Sequence, residues 1–286
     1  MKILVVGGTR FFGRPMLRDL LFAGHDVTVA TRGRSTVPYK GDLKSVVVDK
    51  TDPQAVAKAF QRDFYDVVID KVAYASNDVR SLVDNLRFKR YVLMSSCAVY
   101  SDTHANINED EFDASSHELK WIDRPSDYAE GKRQAECAAL NLLAKEDVAL
   151  IRYPVVTGEH DYTGRLLFYV DHIINGKPMY IDNLDSQIPF VHEREAGSFI
   201  AHIAPMDVTG PVNGCSSGTV SPREIVNYVE KKTGRTAILS DDGDRAPFNG
   251  IMGTYSFDTT KAESTGFKFS NVHDWIYDLI DFLCYN

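Results

Sequence analysis

Apolar runs and a glycine-containing turn alternate at the start of the chain, and their order limits the folds open to it. Residues 2–6 (KILVV) predict a buried strand, and residues 7–13 (GGTRFFG) predict a tight turn. Residues 14–17 open a helix, and residues 27–30 (VTVA) form the next strand. Strand, turn, helix and parallel strand in this order make a βαβ unit, in which the helix N-terminus receives the diphosphate of a dinucleotide. We therefore expect the chain to bind a dinucleotide.

Strands and helices go on alternating through the first half of the chain. Near-continuous apolar strands separated by helices are typical of a parallel sheet covered on both faces. We predict an α/β fold with a Rossmann-type doubly wound parallel sheet. The further strands are predicted at 45–49, 66–70, 91–95 and 148–153, and the helices from Asp52, over 77–86 and over 126–144.

The second half has shorter elements, which glycine and proline separate. Helices are predicted over about 165–174, 221–232 and 274–283, and Ser221 is a good cap for the second. We assign residues 1–154 to a dinucleotide-binding Rossmann domain and residues 155–286 mainly to a smaller α/β lobe that binds substrate. A segment at about 189–204 is expected to return to the first domain, and a cleft is expected between the two.

One connection in the first half is unusually long. Residues 101–125 are polar and rich in Asp, Glu, Ser and His. A connection of this length is expected to be a functional loop, a lid or a mobile segment.

Composition excludes several classes of function. The net charge of −8 disfavours a nucleic-acid partner bound through a basic surface. The four cysteines and the histidines lack metal-ligand spacing, so we expect no metal site and four reduced thiols. The chain shows neither a signal peptide nor an apolar run of the ~18 residues that span a bilayer. We expect a soluble cytoplasmic protein that does not enter a membrane.

Two glycines of the turn have separate structural roles. Gly7 permits the tight exit from the strand, and Gly13 permits close packing of the helix on the sheet. Arg10 stands where a glycine is common, and its guanidinium could lie beside the phosphates. The strict G-x-G-x-x-G pattern is not met, so an ordinary strand–turn–helix remains the alternative.

The end of the second strand indicates which dinucleotide is bound. An acidic residue there binds the ribose 2′-hydroxyl of NAD, whereas arginine accommodates the 2′-phosphate of NADP. This chain has Arg32 and Arg34 and no acid at that point. We therefore favour NADP(H), with NAD(H) as the alternative, although a solvated basic loop would have the same sequence.

Three further residues suggest proton-transfer chemistry. Tyr128 and Lys132 are four residues apart at the start of a predicted helix, so they share one face. A nearby ammonium favours the phenolate and so lowers the tyrosine pKa. Ser96 follows the fifth strand and could orient a substrate oxygen. By itself the Y-x-x-x-K spacing is weak, but its placement after the strand that carries the serine makes catalysis the better interpretation.

Taken together, these segments resemble the extended short-chain dehydrogenase/reductase superfamily, in particular its NAD-dependent epimerase/dehydratase group. The resemblance covers nearly the whole chain and includes residues 7–13, 94–100 (MSSCAVY), 128–132 and 152–158 (RYPVVTG). It implies that Ser96, Tyr128 and Lys132 are catalytic. It also implies dinucleotide contacts from Gly7, Thr9, Arg10, Phe11, Phe12, Gly13, Asp49, Lys50, Val72, Ala73, Tyr153, Pro154 and Val156.

The turn departs from the group's usual pattern because Arg10 replaces its second glycine. In this respect the chain resembles an atypical subgroup, the chloroplast stem-loop binding proteins, some of which bind RNA. The resemblance also implies a homodimer through the helices at 77–86 and 126–144.

The residues after the sixth strand would reach the substrate. Arg165 could bind a substrate phosphate or be an ordinary surface arginine. His160 could move protons or be an ordinary hydrogen-bonded histidine, and Tyr74 could reach the nicotinamide side or be a packed aromatic. The sequence thus predicts an NADP(H)-dependent oxidoreductase or epimerase/dehydratase that acts on a carbonyl or secondary alcohol of a small molecule, for example a nucleotide sugar. The alternative is a weakly catalytic relative that senses a cofactor or binds RNA.

Overall fold

The computed structural model describes residues 1–39 and 41–285, so the predicted end of the second lobe at Asn286 lies outside the described residues. Seven strands of the described chain form the main sheet, and the others form smaller sheets. In chain order the strands are β1 (Lys2–Val6), β2 (Asp26–Thr31), β3 (Lys44–Val47), β4 (Tyr65–Asp70), β5 (Phe88–Met94), β6 (Val148–Arg152), β7 (Val155–Thr157), β8 (Pro178–Tyr180), β9 (Phe190–His192), β10 (Gly210–Asn213), β11 (Ile238–Leu239) and β12 (Asp244–Arg245).

The helices cover the main sheet and build most of the second half. They are α1 (Gly13–Phe22), α2 (Pro53–Phe60), α3 (Ser76–Val83), α4 (Tyr128–Leu142), α5 (Arg165–Asn175), α6 (Glu193–Ile203), α7 (Pro222–Thr233), α8 (Thr260–Ser264) and α9 (Ile276–Tyr285).

The main sheet has the strand order β10-β6-β5-β4-β1-β2-β3, and every neighbouring pair is parallel. From β3 to β6 this is the Rossmann order, in which ligands bind beyond the carboxyl ends of the strands. The register brings those ends to one edge, because Val6 of β1 pairs with Ala30 of β2 and with Asp70 of β4. The predicted α/β class and doubly wound sheet are confirmed.

Alternation along the strands gives the sheet two buried faces. In β1, Ile3 and Val5 belong to a core shared with α1 and α6, whereas Leu4 belongs to a core shared with α2, α3 and α4. A separate core in the second half joins α5, α7 and α9. The boundary at residue 154 between two domains stays an interpretation of the sequence.

Local capping explains where the helices begin. The helix predicted from residue 126 begins at Tyr128, because the Asp127 carboxylate accepts hydrogen bonds from the backbone N–H groups of Ala129 and Glu130. The Ser221 cap is confirmed as a capping box with Glu224.

The long connection at 101–125 is tied to the rest of the chain along its length. The Gln134 side chain accepts from the Lys120 N–H at 2.6 Å and donates to the Glu118 carbonyl. The Ser76 hydroxyl accepts from the Ile122 N–H at 2.8 Å. This segment lies over α4, where no described side chain from residue 129 to residue 140 is exposed. The homodimer stays a prediction, and that stretch of α4 offers it no exposed side chain.

The helices and the cysteines bear on two further predictions, that the chain does not enter a membrane and that its four thiols are reduced. Among the described helices, none combines the length and the apolar character that crossing a bilayer requires. The cytoplasmic location stays a prediction. All four cysteines are free, and Cys97, Cys137 and Cys215 are buried.

Candidate active site

The glycine turn after β1 forms a cradle that only small residues allow. Gly7 has a φ of +85°, which favours glycine, and a Cβ on Gly13 would lie 2.2 Å from the Gly8 carbonyl oxygen. Phe11 also adopts a positive φ of +54°, an uncommon conformation that is often found at functional sites. Within the described part of the chain, no side chain caps the N-terminus of α1, which begins at Gly13. The N–H groups of Gly13 and Arg14 donate to the carbonyls of Arg10 and Phe11, and Pro15 has no N–H, so it is the turn itself, at the positive end of the helix dipole, that fits a diphosphate.

A cleft of about 1020 Å³ runs along the carboxyl edge of the sheet from this turn towards α5. It is at the upper end of the ~300–1,000 Å³ typical of small-molecule sites. Among the predicted site residues, Gly13, Ala73, Lys132 and His160 do not line it. The predicted residues that do line it are Gly7, Thr9, Arg10, Phe11, Phe12, Arg32, Arg34, Asp49, Lys50, Val72, Tyr74, Ser96, Tyr128, Tyr153, Pro154, Val156 and Arg165.

Ser96 and Tyr128 meet in this cleft. The Ser96 hydroxyl caps a short 3₁₀ helix by accepting from the Ala98 N–H at 3.2 Å. Burial raises the pKa of Tyr128, and its hydrogen bond with Ser96 and the charge of Arg165 oppose that rise. The sequence-based expectation of a lowered tyrosine pKa is therefore wrong.

The position of the Lys132 ammonium explains why the pKa of Tyr128 is not lowered. This ammonium is fully buried and donates to the Ala73 carbonyl at 2.7 Å and to the Met94 carbonyl at 2.9 Å. It lies 5.9 Å from the centroid of the Tyr128 ring and 4.8 Å from that of Tyr74. Burial lowers the pKa of Lys132 to about 8. The lysine thus joins the ends of β4 and β5 beneath the cleft rather than pairing with the phenol.

The turn also contacts the loop that follows β7. The Arg10 guanidinium stacks on the Tyr162 ring at 4.4 Å from its centroid, and the Phe11 ring meets the same tyrosine edge-on. The aromatic ring of Tyr162 is therefore the partner of Arg10 in this structure.

Basic side chains surround the end of β2. Arg32, Arg34 and Lys58 of α2 line a second, shallower groove together with Asp49. The Asp49 carboxylate accepts from the N–H and hydroxyl groups of Thr51, and these hydrogen bonds lower its pKa. The Asp49 carboxylate is thus already hydrogen-bonded to Thr51, and the three basic side chains outnumber it in the groove.

At the other end of the cleft, the three residues that were expected to reach the substrate differ in position. Tyr74 is 44% exposed and lies beside the Tyr128 ring. Arg165 donates to the Val156 carbonyl at 3.2 Å and lines the cleft. His160 does not line it, because its Nδ1 is directed to Glu193 at 2.8 Å. Of the two alternatives for His160, the structure favours the ordinary hydrogen-bonded histidine over a residue that faces the cleft.

Sequence reasoning missed several residues of the cleft. Lys71, Ile251 and Tyr255 all line it. Lys71 directly follows β4, so its place at a strand end was a usable signal. Its ammonium lies 3.5 Å from the centroid of the Phe12 ring, and burial lowers its pKa to about 7. Ile251 and Tyr255 come from irregular segments without a periodic signal.

Two sequence comparisons bear on this site. The model of the NAD dependent epimerase/dehydratase family matches residues 3–214. The chloroplast stem-loop binding protein of 41 kDa b from Arabidopsis thaliana is 27% identical over 205 residues, which is 65% of this chain. The chain spans about half the length of this curated relative, since the match covers 50% of it.

Solved structures share the fold. UDP-glucuronic acid 4-epimerase from Bacillus cereus, in complex with UDP-glucuronic acid and NAD, has a TM-score of 0.77 at 15% identity, with 99% of both chains covered. UDP-glucose 4-epimerase from Thermus thermophilus, in complex with NAD, has a TM-score of 0.72 at 18% identity, again with 99% of both chains covered. dTDP-glucose 4,6-dehydratase from Bacillus anthracis, in complex with NAD, has a TM-score of 0.76 at 15% identity, with 100% of this chain and 97% of the other covered.

Proposed function

Because the chain belongs to the NAD dependent epimerase/dehydratase family, and is therefore an enzyme of the short-chain dehydrogenase type, we propose that it acts with NADP(H) on a carbonyl or secondary alcohol, as an oxidoreductase or an epimerase/dehydratase. The observation that carries this proposal is that the Ser96 and Tyr128 side chains both line the cleft that begins at the glycine turn, with Ser96 opposing the rise that burial causes in the Tyr128 pKa. When bound, a nicotinamide supplies or accepts the hydride in such reactions.

The proton is assigned to Tyr128. Its phenolate takes the hydroxyl proton when an alcohol becomes a carbonyl, and its hydroxyl returns that proton in the reverse direction. The Ser96 hydroxyl donates to the same substrate oxygen and so holds it next to the phenol. Lys132 supplies positive charge beneath the cleft and fixes the strand ends on which both depend.

The preference for NADP(H) rests on the groove beside β2. Arg32, Arg34 and Lys58 offer three cationic groups to a 2′-phosphate, and the nearby carboxylate of Asp49 is engaged by Thr51. Gly7, Thr9, Phe12 and Gly13 would hold the diphosphate, with Arg10 released from Tyr162 to join them.

The substrate is proposed to be a nucleotide sugar. The cleft has room for more than a dinucleotide's nicotinamide end, and Arg165 offers a guanidinium to a substrate phosphate near Tyr128. Proteins of the same fold have been solved with UDP-glucose or UDP-glucuronic acid, which makes these two sugars the first to test.

The activity is tested with Tyr128→Phe, using Tyr74→Phe as the matched control because the two rings are neighbours in the cleft. The wild-type protein is incubated with NADP⁺ and each of the two UDP-sugars, and products are separated by chromatography. Tyr128→Phe should lower kcat at least ~100-fold while dinucleotide binding is kept, and Tyr74→Phe should change kcat much less. Full turnover by Tyr128→Phe would refute the role.

Cofactor choice is tested separately by titration of NADP⁺ and NAD⁺, followed by thermal shift. NADP⁺ should bind more tightly, and Arg34→Ala or Arg32→Ala should weaken it by ~10-fold or more without affecting NAD⁺. Arg14→Ala, an exposed arginine on α1, is the control. Equal affinity for the two dinucleotides would overturn the assignment.

A second candidate function is favoured by one observation, the match to a protein named for stem-loop binding. Under this proposal the chain keeps the fold as a sensor of cofactor or a binder of RNA, with little catalysis. The net charge of −8 and the Ser96–Tyr128 pair count against it. Salt-dependent retention of a stem-loop RNA, with no turnover of either UDP-sugar, would favour it over the enzyme.

A further inference from the structure

A cluster of acidic and imidazole groups lies outside the cleft, where the loop after β7 meets the start of α6. One ligand atom from each of Glu159, His160 and Glu193 lies within 4.8 Å of the other two. The Glu193 side chain is only 4% exposed, whereas that of His160 is 57% exposed. None of the three lines the cleft, so the cluster is separate from the proposed active site.

One oxygen of each carboxylate already has a partner. The Glu193 Oε1 lies 2.8 Å from His160 Nδ1, and the Glu159 Oε1 accepts from Arg194 Nη2 at 2.5 Å. These contacts fix both side chains but use only one oxygen of each.

The remaining oxygens are the unusual feature. Glu159 Oε2 and Glu193 Oε2 are both buried, and among the described residues neither meets a donor group: the two carboxyl groups have only each other, which adds to the rise that burial causes in the Glu193 pKa. His192 Nε2 is 3.6 Å from the first of them, which is beyond hydrogen-bond distance, and its Nδ1 accepts from the Arg194 N–H. Two buried carboxylate oxygens without donors are costly, and a positive charge between them would offset that cost.

We propose that Glu159, His160 and Glu193 bind a divalent transition-metal cation of the zinc type. Two carboxylates and one imidazole supply three ligands, and a water would complete four-coordinate geometry on the exposed side of His160. Calcium and magnesium are disfavoured because they take six or more oxygen ligands and do not favour imidazole.

The bound cation would have a structural effect on the neighbouring cleft. Glu159 and His160 belong to the loop that continues to Tyr162 and Arg165, both of which line the cleft. Glu193 is the first residue of α6, which packs on α1. A cation that joins the loop to α6 would fix the position from which Tyr162 meets Arg10. This proposal does not depend on the proposed activity.

The test uses the full-length protein after chelator treatment and exchange into chelator-free buffer. Zn²⁺ is titrated in competition with a chromophoric chelator, and Co²⁺ binding is followed by its visible absorption. One equivalent of each should bind, and excess Mg²⁺ should not displace it. Failure of the wild-type protein to bind one equivalent of Zn²⁺, or displacement of Zn²⁺ by Mg²⁺, would overturn the proposal. If Zn²⁺ does not bind, a proton shared between the Glu159 and Glu193 carboxylates would explain how the two groups are buried together.

Variants assign the cation to this site. His160→Ala changes an exposed side chain and should weaken Zn²⁺ binding at least ~10-fold, as should Glu193→Gln. His104→Ala is the matched control, because His104 pairs with Glu111 at 2.8 Å but the described residues give this pair no third ligand atom within reach. Because Glu193 is buried, His160→Ala is decisive if Glu193→Gln does not fold. Wild-type affinity and wild-type Co²⁺ absorption in His160→Ala would place the metal elsewhere and contradict the proposal.

Discussion

Lys132 and Tyr128 lie one helical turn apart on α4, yet the lysine ammonium is 5.9 Å from the phenol ring centroid and bonds to two backbone carbonyls. The i, i+4 spacing fixes the shared face of the helix but not the partner of the ammonium. Lys132 is thus an anchor for the loops after β4 and β5. Burial of the Lys132 charge should therefore make the stability of the folded protein depend on pH.

The buried ammonium should make stability rise with pH. The pKa of Lys132 is about 8 in the folded protein and 10.5 as its ordinary value. Below pH 8 the lysine is protonated in both states, so the cost of burying its charge is fully present. Above pH 8 the folded protein releases a proton that the unfolded chain keeps, and its relative stability increases.

The measurement is urea unfolding of the wild-type protein and Lys132→Met at pH 7.0 and 9.5. Subtracting the two proteins removes the titration of groups whose pKa does not depend on Lys132; Lys71, whose pKa the Lys132 charge helps to lower, is the exception. The wild type should gain on the order of 2 kcal/mol relative to the variant between these values. Parallel pH curves would contradict the shifted pKa.

Gly13 should be indispensable for dinucleotide binding. A Cβ at this position would lie 2.2 Å from the Gly8 carbonyl oxygen, so Gly13→Ala must move the turn away from the start of α1. We expect at least ~10-fold weaker binding of NADP⁺, measured by calorimetry, because the backbone N–H groups lose their common direction. Arg14→Ala alters the next, exposed residue and should bind normally. Unchanged affinity in Gly13→Ala would show that the diphosphate does not occupy this cradle.

The stack of Arg10 on Tyr162 should control access to the cleft. The guanidinium contacts the ring face, so Tyr162→Phe should keep the interaction and Tyr162→Ala should lose ~0.5–2 kcal/mol. Stopped-flow fluorescence measures the rate at which NADPH associates with each variant, and only Tyr162→Ala should associate faster than the wild-type protein. Identical rates in the two variants would mean that the ring face does not hold Arg10.

Local sequence patterns predicted the sheet, and they also pointed to most of the residues that line the cleft near the glycine turn. Apolar strands and a glycine turn are local signals, and the seven-stranded parallel sheet follows from them. The residues at the other end of the cleft, near α5, were harder to predict because long-range packing decides their positions. His160 is held by Glu193, which is 33 residues away. Tyr255 reaches the cleft from an irregular segment, and nothing in its neighbouring residues marks it.

A buried ion pair ties the long connection to the sheet. Arg152 and Glu136 are both fully buried, with Arg152 Nη2 donating to Glu136 Oε2 at 2.6 Å. The same guanidinium donates to the carbonyls of Glu109 and Phe112 and to the Tyr100 hydroxyl. One arginine therefore neutralises an acid of α4 and holds several points of the connection at once.

Removing one partner and removing both should have different effects. Glu136→Ala leaves the Arg152 charge buried without a counter-charge and should cost ~3–5 kcal/mol in urea unfolding. The double variant Glu136→Leu with Arg152→Met removes both charges and should recover most of that loss. Its connection at 101–125 nevertheless lacks the guanidinium donors, so limited proteolysis should cut there faster than in the wild type. Wild-type resistance to protease in the double variant would show that the contacts of this segment with α3 and α4 are sufficient to hold it.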